Sequence, residues 1–474
     1  MKIFDLVIIG GGSAGLNAAD LALQMGLKTA LIEKNRIGGD CTWTGCVPSK
    51  ALLKTAKAVQ LLRDADQLGL PPRDESIDFS LVVKSINQVI QEIYAEESPD
   101  ALRKKGLDVF IGEAHFRNEN TIFVKGAGEI QGRKFVIASG AKPDLPPIPG
   151  LMEVPFHTYE DIWSLQKLPE TLLILGAGSV GVELGQAFQR LGAQVQIFEL
   201  QSRILPEADS RAAGVISAVL QGEGAEIFTE TRIQKIEADA DTIVLHSQKD
   251  SYRGDALLVS VGRSPSLEGL NLSAAGVAYD QQGIAVDRHM QTSNPIVFAA
   301  GDVTGGPQFT HVAGWQAFAA VRNAFLPGRS SGSLETFPWT IFTDPEVAWA
   351  GFSEAEAQKR FGKQVIREEL PLSSVDRAHT DRALDGYLEV ILLPKGKVVG
   401  ATIVGPRAGE MIAEWNLAIS QSLTIEQIAY TLQSYPTYAL ANMQLAAKIQ
   451  AQSTLGGLTG KLIRWWLKLT GSIR

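Results

Sequence analysis

Leu6-Val7-Ile8-Ile9-Gly10-Gly11-Gly12-Ser13-Ala14-Gly15 is the stretch on which the fold turns. An apolar strand runs into G-x-G-x-x-G, and apolar residues at helical spacing (Leu16, Ala19, Leu23) follow. A second strand, Thr29-Ala30-Leu31-Ile32, ends at Glu33. Each part answers a need of a bound dinucleotide. Gly10, Gly12 and Gly15 let the backbone approach a pyrophosphate. The helix N-terminus offers free N–H groups and a partial positive charge. Glu33 can accept hydrogen bonds from a ribose.

The pattern returns further along the chain. Strand Leu172-Leu173-Ile174-Leu175 leads into Gly176-Ala177-Gly178-Ser179-Val180-Gly181, then a helix, then strand Gln194-Val195-Gln196-Ile197-Phe198 and Glu199. Two such units imply two dinucleotides. A carboxylate at Glu199 suits the free 2′-hydroxyl of NAD and repels the 2′-phosphate of NADP, although Arg203 lies close by. NAD is therefore expected over NADP.

The rest of the chain sets limits. Its 474 residues allow about three domains. A net charge of −8 argues against nucleic acid as a partner. Two cysteines are too few for a disulfide-stapled secreted protein, and Met1-Lys2-Ile3-Phe4-Asp5 runs straight into a strand with no signal peptide. A cytoplasmic setting is expected. Residues 66–78 read as an exposed loop, and one long helix is expected from about Phe79 to Lys105.

The two cysteines share one frame, Gly38-Gly39-Asp40-Cys41-Thr42-Trp43-Thr44-Gly45-Cys46-Val47-Pro48-Ser49-Lys50. A helix is read from Ser49 through Ala58. Cysteines this close can form a disulfide, and a helix N-terminus favours the reactive thiolate. Lys50, expected to be buried, sits one helical turn past Cys46.

With these motifs the sequence resembles the pyridine nucleotide–disulfide oxidoreductases, which include dihydrolipoamide dehydrogenase, glutathione reductase and mercuric reductase. Gly39-x-Cys41-x4-Cys46-x-Pro48-Ser49-Lys50 carries most of the likeness. Ala138-Ser139-Gly140-Ala141 and Val259-Ser260-Val261-Gly262-Arg263 resemble the crossovers into and out of the second domain. Thr292 to Asp302, ending Ala299-Ala300-Gly301-Asp302, resembles the second flavin motif, and Phe342-Thr343-Asp344-Pro345-Glu346 the opening of a dimerisation domain. The resemblance implies an α/β fold: two Rossmann-like domains, for FAD and NAD, plus an α+β C-terminal dimerisation domain. The expected order is residues 1–150 and 271–335 for FAD, 151–270 for NAD(P), 336–455 for dimerisation and 456–474 as a tail. It also implies that Cys46 faces the flavin, that Cys41 meets substrate, that Lys50 pairs with Glu183 beside the flavin, and that Asp302 bonds the ribityl chain. A homodimer is expected.

One segment departs from the family. Its disulfide reductases carry His-Pro-Thr and, three residues on, Glu. Here Ser434-Tyr435-Pro436-Thr437-Tyr438-Ala439-Leu440 puts Tyr435 at the histidine and Leu440 at the glutamate. A phenol of ordinary pKa near 10 is a poor base at neutral pH. Mercuric reductases resemble this chain in that tyrosine, but they add a C-terminal cysteine pair and often an N-terminal metal-binding domain, neither read here. The expected acceptor is one that needs no proton relay, a metal ion or small oxidant. The alternatives are dihydrolipoamide dehydrogenase or another disulfide reductase, a membrane-associated NADH:quinone reductase, and a low-turnover flavin sensor. His311 is expected near the flavin and His379 at the surface.

The last stretch, Gly456 to Leu469, places Lys461, Arg464 and Lys468 on one helical face and Leu458, Leu462, Trp465, Trp466 and Leu469 on the other. Such a helix either rests peripherally on a membrane or packs on the protein or its dimer mate.

Overall fold

A computed structural model describes residues 2–73, 76–240, 242–470 and 472. The strand Lys2–Ile9 is apolar almost throughout because it is covered on both faces, as parallel strands are. It pairs in parallel with Thr29–Glu33 on one side and with Gly128–Ile137 on the other. Asp108–Ile111 and Val297–Ala299 add parallel neighbours, and Thr121–Val124 with Ala114–Asn118 completes a seven-stranded sheet as an antiparallel meander. The later strand Val297–Ala299 thus rejoins the sheet that the N-terminus began.

The second unit is a four-stranded parallel sheet in the order Glu226–Phe228, Gln194–Phe198, Thr171–Leu175, Ala256–Val259. A three-stranded antiparallel meander follows its third strand in sequence, Lys235–Asp239 to Ser251–Gly254. The two crossovers meet as a ribbon, Ala141–Pro143 antiparallel to Arg263–Pro265. The C-terminal part is a five-stranded antiparallel sheet with the helix Ala408–Ser420 buried against it through Met411, Ile412 and the fully buried Trp415. The observed architecture is the α/β one that the motifs imply.

The chain forms two compact units. One comprises Met1–Arg63, Pro72–Leu205 and Glu223–Leu334, and holds both parallel sheets. The other comprises Asp64–Pro71, Pro206–Gly222 and Glu335–Arg474.

Some elements differ from expectation. The helix expected at Phe79–Lys105 is two, Phe79–Glu97 and Pro99–Lys104. Pro99 cannot continue a helix but suits the first turn of a new one, and the Ser98 side chain caps it by accepting from the Ala101 N–H. The helix carrying Lys50 runs from Cys46 to Arg63, longer than expected in both directions. In the expected loop 66–78, Ala65–Leu68 is a 3₁₀ turn, and Asp74 and Glu75 lie outside the described residues. Among the described residues no helix is long and apolar enough to cross a membrane.

Candidate functional site

Glycine is required at both nucleotide turns by close backbone approach. Gly10 has φ +111°, and a Cβ there would stand 2.1 Å from the Ala138 carbonyl oxygen. A Cβ at Gly15 would stand 1.9 Å from the Gly10 carbonyl oxygen. In the second unit Gly176 has φ +96°, and a Cβ at Gly181 would meet the Gly176 oxygen at 2.1 Å. The middle glycines differ: nothing lies within 4 Å of a Cβ at Gly178, and only Gly39 Cα, at 3.7 Å, near one at Gly12. This is open ground before a helix N-terminus, which fits a pyrophosphate in both turns.

The two acids are built alike. Glu33 accepts from the N–H groups of Gly11 and Asn35, each at 2.7 Å. Glu199 accepts from Ala177 at 2.9 Å and Gln201 at 2.8 Å. Both carboxylates are buried, and each oxygen keeps a lone pair for a ribose hydroxyl. The crossover residues differ among themselves. Ser139 donates its hydroxyl to the Ser266 carbonyl at 2.8 Å, Gly140 (φ +72°) faces open space, and Gly262 (φ +146°) turns beside Asp144. Gly301 donates to Gln316 Oε1 at 2.8 Å.

Gly38 and Gly39 take left-handed φ values of 102° and 58°, and Gly39 is pressed against Gly12. This sets the short helix Gly39–Trp43 beside the first nucleotide turn. The N–H groups of Thr44 and Gly45 both bond the Asp40 carbonyl, closing a turn that brings Cys46 back toward Cys41. The Thr310 hydroxyl lies 3.4 Å from each sulfur.

The two thiols are unequal. The hydrogen bond from Cys41 draws Cys46 down to about 6, against the effect of burial and with help from Thr310 and the Lys50 cation. Cys41 is pushed well up, by that same hydrogen bond and by burial. In the reduced pair this inequality favours the thiolate on Cys46 and the thiol on Cys41. Lys50 Nζ donates to Glu183 Oε2 at 2.8 Å. Glu183 is buried, but the Lys50 side chain is 38% exposed. The expectation of a buried lysine is corrected accordingly.

A network absent from the sequence reading surrounds Arg263. Its guanidinium holds Asp302 at 2.9 Å and Asp40 at 2.5 Å, and donates to the Tyr159 hydroxyl at 3.1 Å. Burial disfavours the charge on Arg263, but the two carboxylates outweigh it and raise its pKa further. Burial raises Asp302 despite the arginine. Asp40, next to Cys41, and Asp302 are thereby tied to one cation.

Tyr435 is exposed, in the C-terminal unit, and donates its hydroxyl to Asp376 at 3.0 Å. That bond, and the charge of Asp376, raise the phenol's pKa. Leu440 is buried at the start of the helix Leu440–Gly456 and holds no polar group near Tyr435's hydroxyl. His311 stacks on Phe309, with ring centres 5.5 Å apart, and His379 contacts the Ser373 carbonyl at 2.8 Å. Among the described residues no cluster of three or more His, Cys, Asp or Glu could hold a metal ion. The sequence reading missed Thr310, Tyr159 and Asp376, and for none of them is there a spacing signal.

Comparison with known proteins gives the family. Residues 4–317 match the pyridine nucleotide-disulphide oxidoreductase model, and residues 337–445 its dimerisation domain. The chain is 35% identical over 442 residues to a mercuric reductase of Bacillus cereus, covering 92% of this chain and 70% of that one. It is 34% identical over 471 residues to a dihydrolipoyl dehydrogenase of Thermus scotoductus, covering 96% and 99%. A solved Cu(II) complex of the HOCl-induced flavoprotein disulfide reductase RclA from Escherichia coli superposes with a TM-score of 0.85 at 28% identity, covering 93% and 99%. The chain belongs to the pyridine nucleotide–disulphide oxidoreductase family, and is an NAD(P)H-dependent flavoprotein oxidoreductase with that family's FAD and dimerisation domain.

Proposed function

We propose that this enzyme takes electrons from NADH and delivers them through Cys46 and Cys41 to a metal ion or small oxidant. Tyr435 is the observation that carries the acceptor. Where the family has its histidine, a phenol donates to Asp376 with a raised pKa, and so takes up no proton near neutral pH. A disulfide acceptor releases thiolates that must be protonated. A metal ion held by sulfur accepts electrons without that step. The relatives named mercuric reductase, and the Cu(II) complex of RclA, support this direction.

In this reading Gly10, Gly12, Gly15, Glu33, Gly39, Ser139, Gly140, Gly301 and Asp302 hold FAD. Gly176, Gly178, Gly181, Glu199 and Gly262 hold the nicotinamide cofactor, with Glu199 favouring NAD over NADP. Residues 1–150 with 271–335, 151–270 and 336–455 serve FAD, nucleotide and dimerisation. When bound, the flavin passes two electrons between nicotinamide and disulfide. The chain's own part is local. Lys50, steadied by Glu183, places a cation beside Cys46. Breaking the disulfide with two electrons and one proton leaves a Cys46 thiolate and a Cys41 thiol, and Thr310 touches both. Giving two electrons to the acceptor, one Hg(II) ion or two Cu(II) ions in turn, re-forms the S–S bond and releases the proton.

The test is NADH oxidation by the purified enzyme with Hg(II), Cu(II), a soluble quinone, lipoamide and glutathione disulfide, beside Cys46→Ser. Metal turnover that is lost in Cys46→Ser is the expected result. Fast turnover of lipoamide or glutathione disulfide would overturn the acceptor assignment. Quinone turnover surviving in Cys46→Ser would place that acceptor at the flavin instead.

A further inference from the structure

The tail forms a helix, Leu458–Leu469, and its residues divide into three faces, not two. Gly460, buried, and the half-buried Ile463 and Leu467 share the least exposed face. A Cβ at Gly460 would stand 1.9 Å from the Leu455 carbonyl oxygen, so the glycine lets this helix lie against the end of the preceding one. Arg464 fastens it by donating to the same carbonyl at 3.0 Å. The helix is therefore fixed to the end of the helix Leu440–Gly456, and this leaves its large side chains out. Leu462, Trp465, Trp466 and Leu469 form a second face and are 64%, 62%, 58% and 64% exposed. Lys461, Arg464 and Lys468 form the third, along one edge of that apolar stripe. The Leu458 and Thr459 side chains and residues 471, 473 and 474 lie outside the described residues.

We infer that this stripe is an interfacial anchor for an anionic lipid surface. Charge selects the occupant. The chain after Glu426 holds no acidic residue, while the whole carries 52 acidic against 44 basic residues. This end of an otherwise acidic protein therefore carries a local excess of positive charge, which anionic headgroups attract. Paired tryptophans flanked by long cations suit the headgroup–acyl boundary, where indole rings and lysine stems are half-buried and ammonium groups stay wet. A second copy of the chain fits worse: two such stripes face to face would bring Lys461 and Lys468 against their own kind. Gly460 and Arg464 tie the start of the helix to the Leu455 carbonyl, and the helix is already formed, so lipid contact requires no refolding of it. The inference stands whichever acceptor the thiols serve.

The experiment uses the full-length holoenzyme with sucrose-loaded vesicles of phosphatidylcholine alone, or of equal parts phosphatidylcholine and phosphatidylglycerol. Cosedimentation with the anionic vesicles and a blue shift of tryptophan emission are expected. Lys461→Gln and Lys468→Gln should each weaken binding roughly fivefold, and salt should weaken it further. Trp465→Ser with Trp466→Ser should abolish it while leaving NADH oxidation and the oligomeric state unchanged. Absence of binding to the anionic vesicles would overturn the inference. So would binding that survives loss of both tryptophans, or a change of oligomeric state as the main effect of losing them.

Discussion

Cys46 is the residue whose chemistry is most open to direct measurement. A pKa drawn down to about 6 favours the charged form, so thiolate is present above that pH and is lost as pH falls through it. Alkylation of the reduced enzyme by iodoacetamide should accelerate about tenfold between pH 5 and pH 7. Lys50→Met and Thr310→Val each remove a stabiliser of the thiolate, and should move the inflection upward. An inflection that stays in place would show that neither group governs the sulfur. At the altered acid–base position, Tyr435→His should raise NADH-driven lipoamide reduction. With Leu440→Glu the gain should be larger, but smaller than the ~10²- to 10⁴-fold of a complete acid–base pair. Leu440 is buried, and a carboxylate introduced there is costly to desolvate. The cysteines were readable because they share one short frame with three glycines and a proline. Thr310 was not, because it lies 264 residues from Cys46 in sequence and meets it only through the fold. The same holds for Asp376 and Tyr435, 59 residues apart, and for Asp40 and Arg263, 223 apart.

Among the elements, the helix Ser179–Leu191 carries both Glu183 and a second buried charge, Arg190. Arg190 meets Glu223 with two parallel bonds, Nη2 to Oε1 at 2.5 Å and Nε to Oε2 at 2.9 Å. Removing the carboxylate takes a bidentate partner from a buried guanidinium, so Glu223→Ala should cost about 3–5 kcal/mol, read as a lowered midpoint in thermal unfolding. A midpoint within a degree of the parent would show that water replaces the carboxylate. Strands and turns of both nucleotide units were readable because parallel strands are continuous apolar runs and the glycines punctuate them. The break between the helices Phe79–Glu97 and Pro99–Lys104 had a signal too, since Ser-Pro is a start signature. It was masked by apolar spacing that continues across it. The Cys46–Arg63 helix outran its expected start because a proline at its third position suits a first turn.

For the whole molecule, the dimerisation domain leaves Leu417, Tyr430, Leu432 and Tyr435 exposed in a single chain, Leu432 by 89%. Leu432→Arg should shift the enzyme toward monomer in sedimentation velocity, and with it lower acceptor turnover more than flavin reduction by NADH. A dimer of unchanged strength would move the interface elsewhere. The crossover ribbon has a further consequence. Pro143 and Arg263 are partners across one antiparallel ladder, so the chain leaves and re-enters at adjacent points, about 5 Å apart. A segment inserted in this way can be excised and the gap bridged by a two-residue turn, at little cost in loop entropy. The two ends of the insert lie side by side, so a different cofactor module could be spliced in at the same two residues, provided that it also replaces the contact of Glu183 with Lys50.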